Sequence, residues 1–123
     1  MDRTDVAHDM EDFLVPQPPI SPFRVSTEHA GDTWRVIAEG ELDIEGVPGL
    51  QSAVEAARQR SVEHVVVDLS LVTFIDSSGI RVLLESTQRA EGRPDLRIVS
   101  SPAVDRVIDL TGLRDHLPLI DPA

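Results

Sequence analysis

The chain has 123 residues with 22 acidic side chains against 11 basic ones, a formal net charge of −11, and no cysteine. That balance excludes a nucleic-acid binder or a protein held to an anionic bilayer, since both need clustered basic side chains. The missing thiols exclude disulfides, cysteine catalysis and Cys-ligated metal. One domain is the expectation at this length, and its core must be aliphatic because Trp, Tyr and Phe together make up 3% of the chain.

Every basic residue is Arg, and Lys is absent. The four histidines, His8, His29, His64 and His116, lie far apart in sequence and show no ligand spacing, so neither a metal nor another cofactor is expected. No apolar run approaches the ~20 residues of a membrane span. The opening stretch MDRTDVAHDMEDF has neither the basic start nor the apolar centre of a signal peptide, which points to the cytoplasm. Residues 1–20 read as an acidic and then proline-rich tail. Pro16, Pro18 and Pro19, with Pro22 just beyond, forbid helix and central strand alike, and Phe13, Leu14 and Val15 form a short apolar exception that could dock on the domain or a partner. Residues 21–123 read as a single domain.

In chain order, Phe23 to Thr27 alternates apolar and polar, as does Trp34 to Glu39, with Trp34, Val36 and Ala38 on one face. His29 to Asp32 between them reads as a short hairpin connection. Gly40-Glu41-Leu42-Asp43 ends the second strand. A helix is predicted over 46–60, with Leu50, Ala53, Val54 and Ala57 as its apolar stripe and Pro48 in its first turn. His64 to Leu69 is a third strand whose consecutive valines suggest burial on both faces, as in a central parallel strand. A short connector then leads to a second helix over 78–90, with Ile80, Leu83, Leu84 and Thr87 facing inward and Gly92-Arg93-Pro94 ending it. Leu96 to Val99 is a fourth strand. Ser101-Pro102 opens a third helix with an N-cap serine and a first-turn proline. Its stripe is Val104, Val107, Ile108 and Thr111, and Gly112 is its left-handed cap. Leu117 to Ile120 reads as a last edge strand. The sum is an α/β domain with helices packed on a mixed sheet that begins with a hairpin.

The chemistry concentrates at Asp76-Ser77-Ser78-Gly79, between a buried strand and a helix. Ser77 or Ser78 is expected at or beside the helix N-cap, where unpaired N–H groups favour negative charge. The site therefore suits an anion, or a serine made anionic by phosphorylation. Serine and aspartate are also ordinary capping residues, so the spacing alone leaves both readings open. A hydrolase is excluded more firmly: the Gly-x-Ser-x-Gly elbow is absent and no histidine is tied to the serines.

Four segments, taken together, carry a resemblance. Ile75-Asp76-Ser77-Ser78-Gly79-Ile80 follows Val65 to Ser70, Gly40-Glu41-Leu42-Asp43 precedes it, and Arg106 to Leu113 comes after. In this order they resemble the signature of the STAS domain, and more narrowly that of bacterial anti-sigma factor antagonists, across residues 22–120. The resemblance implies a partner switch. An unphosphorylated antagonist binds an anti-sigma factor that is itself an ATPase-type serine kinase. Phosphorylation of the motif serine ends that binding, and a phosphatase resets it. Carried over to this chain, Ser78 is the expected phosphoacceptor and Ser77 the alternative, with Asp43, Asp76, Ser77, Gly79, Ile80 and Arg81 as the partner-facing residues. Arg81 departs from the family pattern, which often has a small residue there. A STAS module that binds a small anion or nucleotide, or serves as a scaffold subunit of a sensory complex, is the alternative. Analogy with isolated domains of this kind implies a monomer.

Overall fold

The computed structural model describes residues 23–89 and 94–121. The expected tail and the Gly92-Arg93 break lie outside the described residues. Five strands form one sheet in sequence order: β1 (Arg24–Ala30), β2 (Thr33–Leu42), β3 (His64–Ile75), β4 (Asp95–Val99) and β5 (Leu119–Ile120). The first pair is antiparallel and the others are parallel. Helices α1 (Val47–Arg58), α2 (Ser77–Arg89) and α3 (Pro102–Thr111) provide three of the connections. The expected mixed sheet with an opening hairpin is the observed architecture.

Alternation along the strands sorts the side chains. Val36 and Ala38 of β2, Val65 and Val67 of β3, and Leu96 and Ile98 of β4 point to one face. There they join Leu50, Val54 and Ala57 of α1, Ile80 and Leu83 of α2, and Val104 and Ile108 of α3 in one apolar cluster. At about 25 cal/mol per Å² of apolar surface, burying each of these aliphatic side chains is worth roughly 1.5–3 kcal/mol, which makes the cluster the main stabilising element. Val66 is buried as well, so the three consecutive valines are interior. On the other face, Arg35 donates to Asp68 across the β2–β3 pair at 2.7 Å. Burial alone would raise the Asp68 carboxyl, but bonds from Ser70 and Arg35 outweigh it and hold the group below its ordinary range.

Four local differences from the sequence expectation have physical causes. The hairpin turn is only Gly31-Asp32, because His29 and Ala30 still pair with Trp34 and Thr33. Thr111 is exposed, its hydroxyl bonded to the Val107 and Ile108 carbonyls of its own helix. Strand β5 shrinks to two residues. Pro118 lies outside it and contributes its carbonyl, which accepts the Ile98 N–H at 2.9 Å. The fourth difference decides the position of the site. Strand β3 does not end at Leu69 but runs on to Ile75, pairing with β2 as far as Leu42.

That extension is irregular. Ile37 pairs with Asp68 but Glu39 with Leu71, and Gly40 pairs with Val72 but Glu41 with Phe74. Each step inserts one extra residue into β3, which is a β-bulge. Two bulges convert the buried set from every second residue to Leu69, Val72 and Ile75. Periodicity gave no strand signal here because the period is locally three.

Candidate functional site

The extended β2 and β3 end side by side, and each runs straight into a turn of the form Asp-x-x-Gly. After β2 it is Asp43-Ile44-Glu45-Gly46, and after β3 it is Asp76-Ser77-Ser78-Gly79. The two have the same hydrogen bonding. Asp43 Oδ1 accepts the N–H groups of Glu45 and Gly46 at 3.0 and 3.2 Å. Asp76 Oδ1 accepts those of Ser78 and Gly79 at 2.9 and 3.2 Å. The main-chain carbonyl of each aspartate also accepts the N–H four residues on, from Val47 and Ile80, at 3.1 Å in both cases. Asp76 N–H donates to the Leu42 carbonyl at 3.3 Å, tying the second turn to the residue before the first. Short polar side chains that bond to the backbone two and three residues ahead are the usual device for starting a helix.

The N-cap of α2 is therefore Asp76, and Ser77 and Ser78 stand beside it in the first turn. Its carboxylate occupies two of the N–H groups that were expected to be open to an anion, those of Ser78 and Gly79. Ser78 adds a further bond, its hydroxyl donating to the same Asp76 Oδ1 at 2.6 Å. That bond, more than the opposing effect of burial, holds the Asp76 carboxyl below its ordinary range, with the Gly79 and Ser78 N–H groups helping. Ser77 is exposed, and its hydroxyl has no hydrogen-bond partner among the described residues.

The glycine is required by crowding rather than by a special dihedral. A Cβ at Gly79 would lie 2.7 Å from Ile75 Cγ1 and 3.0 Å from Leu42 Cγ. The helix start is pressed directly onto the two strand ends, which fixes where the serines stand. Gly79 and Ile80 are buried, so these two of the expected partner-facing residues shape the site from inside. Arg81 is exposed and makes no ion pair among the described residues. It stands four residues after Ser77, and therefore on the same side of the helix. Asp43, Asp76, Ser77 and Arg81 are thus gathered at one rim, at the C-terminal ends of the parallel strands. His29 and His64 stand at the opposite end of the sheet, where His64 bonds Asp95 at 2.8 Å.

A family model described as "Mlab, STAS domain" matches residues 25–121. The chain belongs to the STAS domain family. An anti-sigma-B factor antagonist from Staphylococcus epidermidis is 32% identical over 96 residues, which is 76% of this chain and 88% of the relative. An anti-sigma F factor antagonist from Paenibacillus polymyxa is 30% identical over 102 residues, 80% of this STAS domain chain and 87% of the relative. Among solved structures, an anti-sigma factor antagonist from Mycobacterium paratuberculosis superposes with a TM-score of 0.75 at 29% identity, covering 87% of this chain and 92% of that one.

Sequence reasoning found the second turn but not its twin. The repeated Asp-x-x-Gly spacing at the ends of adjacent strands was the available signal. Ile44 and Phe74, both exposed, were missed because Ile44 sits in the turn and the bulges between Leu69 and Phe74 erase the alternation around Phe74. No helix among the described residues is long and apolar enough to cross a membrane, and no group of potential metal ligands is present among them.

Proposed function

We propose that this STAS domain is an anti-sigma factor antagonist that binds an ATPase-type anti-sigma kinase through the Asp76–Gly79 rim, and that Ser77 rather than Ser78 is the serine that accepts the phosphoryl group. The observation that carries the choice is the division of labour between the two hydroxyls. Ser78 spends its proton on the Asp76 cap, whereas Ser77 is exposed and uncommitted. Phosphorylating Ser78 would remove a cap donor and set a dianion against the capping carboxylate. Phosphorylating Ser77 leaves every bond of the turn in place.

The chemistry is simple on this side of the interface. Ser77 Oγ forms a bond to the γ-phosphorus of ATP held by the kinase, the bond from that phosphorus to the β–γ bridging oxygen breaks, and ADP leaves while the hydroxyl proton passes to a base or water. The chain supplies the acceptor and its position, and the kinase supplies the catalysis. A phosphate brings about −1.5 to −2 charge at pH 7. Arg81, one turn along the helix, faces it within the chain. Across the interface it faces the phosphates of bound nucleotide, so repulsion and added bulk release the partner while the fold stays as it was. A phosphatase that hydrolyses the ester resets the switch.

The test uses the full chain, ATP and each purified ATPase-type anti-sigma factor of the source organism, with the modified residue mapped by mass spectrometry. Phosphate is expected on Ser77. Phosphate on Ser78, or none with any kinase, overturns the assignment. By calorimetry, Ser77→Asp should bind the kinase about a hundredfold more weakly than Ser77→Ala, or ~2.7 kcal/mol. Equal affinities would refute the charge mechanism.

A further inference from the structure

The rim that presents Ser77 also carries an apolar surface. Ile44, Leu71 and Phe74 are 71%, 52% and 47% exposed. Leu71 and Phe74 pair with Glu39 and Glu41, two residues apart on β2, so both point to the face opposite the helices. Simple alternation from the buried Leu69 would have turned Leu71 inward, and the first bulge turns it out. Phe74 is two residues before the capping Asp76. Ile44 occupies in the first Asp-x-x-Gly turn the place that Ser77 occupies in the second, and the Asp76–Leu42 bond holds the two turns together. The three side chains thus lie on the open sheet face and on the turn tied to the one that presents Ser77.

The charge around them is mostly acidic, with Arg81 beside Ser77 and Arg24, ion-paired to Glu39, as the basic exceptions. Glu41 and Glu45 are exposed and make no ion pair among the described residues, Asp43 lies between them, and the whole chain carries −11. Apolar centres within a charged rim mark protein interaction surfaces, and the rim charge selects the partner by complementarity. We propose that Ile44, Leu71 and Phe74 form a docking surface, adjoining the Ser77 turn, for an apolar cluster ringed by Lys or Arg on the anti-sigma factor. This rests on the function proposed above and adds a second zone to it. The apolar, acidic zone holds the partner, while Ser77 meets the nucleotide. Recognition by the first zone survives phosphorylation, and only the second zone changes sign.

The experiment measures calorimetric affinity of the full chain for each purified ATPase-type anti-sigma factor of the source organism, at low and high salt. Ile44→Glu and Phe74→Glu are compared with wild type, with Ser77→Asp, and with Leu110→Glu. Leu110 is 80% exposed near the end of α3, a helix that starts beside β3 and carries it about 13 Å away. Ile44→Glu and Phe74→Glu are each expected to weaken binding at least thirtyfold, ~2 kcal/mol, and Leu110→Glu less than threefold. Wild-type affinity should fall as salt rises. If Phe74→Glu unfolds, Ile44→Glu decides the matter, since its side chain is outside the core. Near-wild-type binding by Ile44→Glu, alongside loss of binding by Ser77→Asp, would overturn the docking surface and leave the switch intact. Affinity unchanged by salt overturns the basic ring. Failure of wild type to bind any of the anti-sigma factors overturns surface and function together.

Discussion

The turns at Asp43–Gly46 and Asp76–Gly79 share aspartate, glycine and hydrogen-bond pattern, yet one displays an apolar side chain and the other a hydroxyl. The difference lies in what fills and follows the frame. In the first, the two middle residues are Ile44 and Glu45, and Pro48 then removes the N–H that the Ile44 carbonyl would accept, so the regular helix starts late, at Val47. In the second, both middle residues are serines, and the helix starts at once behind the capping carboxylate. A hydroxyl at the first middle position is presented to solvent, and one at the second is absorbed by the cap. A short Asp-x-x-Gly frame is therefore a display device, and the displayed residue sets the function.

The largest expected effect separates the two glycines. At Gly79 an added Cβ meets Ile75 and Leu42, both buried in the core, so Gly79→Ala forces the helix start off the strand ends. Overpacking of this kind costs about 2 kcal/mol, or about 8–16 °C in Tm for a domain of this size. At Gly46 the Cβ meets the ring of Phe23 at 2.9 Å, and Phe23 is a partly buried side chain just before β1 that can give way. Gly46→Ala should cost less than half as much. Equal losses in thermal unfolding would show that the two turns are seated with equal rigidity.

A smaller effect follows from the capping carboxylate. Asp76→Ala leaves the Ser78 and Gly79 N–H groups without their acceptor and should cost about 1 kcal/mol at neutral pH. The Asp76 carboxyl is lowered on folding, chiefly by the Ser78 hydroxyl. Its contribution is thus complete above the unfolded value of about 4 and is lost as pH falls through the lower folded value. Denaturant unfolding of wild type and Asp76→Ala should differ fully at about pH 6, and the gap should close only once the pH has fallen below the ordinary carboxylate range. A gap that persists in strong acid would mean that the neutral carboxyl caps as well as the ionised one.

How much of this was legible in the sequence depends on period. The helices and the strands with clean alternation were read nearly to their ends, since Leu50, Val54, Ala57, Val104 and Ile108 occupy the positions their spacing assigned. Gly112 was read from residue type alone and has a φ of 72°. The bulged half of β3 was unreadable, because bulges cancel the alternation that reveals a strand and are set by pairing with β2, not by local preference. The inner face of α2 was read short for a related reason: Val82 lies outside the predicted stripe yet is 3% exposed. The serines were placed at the right helix end, but two adjacent serines offer the sequence no means of deciding which hydroxyl the cap will take. Asp76 settles that through geometry.

The smallest expected effect tests this division directly. Ser78→Ala removes the 2.6 Å bond to Asp76 and should cost about 0.5–1 kcal/mol, the net worth of an ordinary hydrogen bond, because water replaces part of it at this partly exposed site. Ser77→Ala removes a hydroxyl that bonds nothing among the described residues and should change stability by less than about 0.5 kcal/mol. The same pair should reverse order when phosphorylation is read in place of stability, with Ser77→Ala abolishing phosphate incorporation and Ser78→Ala retaining it. A protein in which one serine governs both readouts would have a single serine that is both cap and switch, and the cost of phosphorylating it would then appear as a lower Tm of the phosphorylated form.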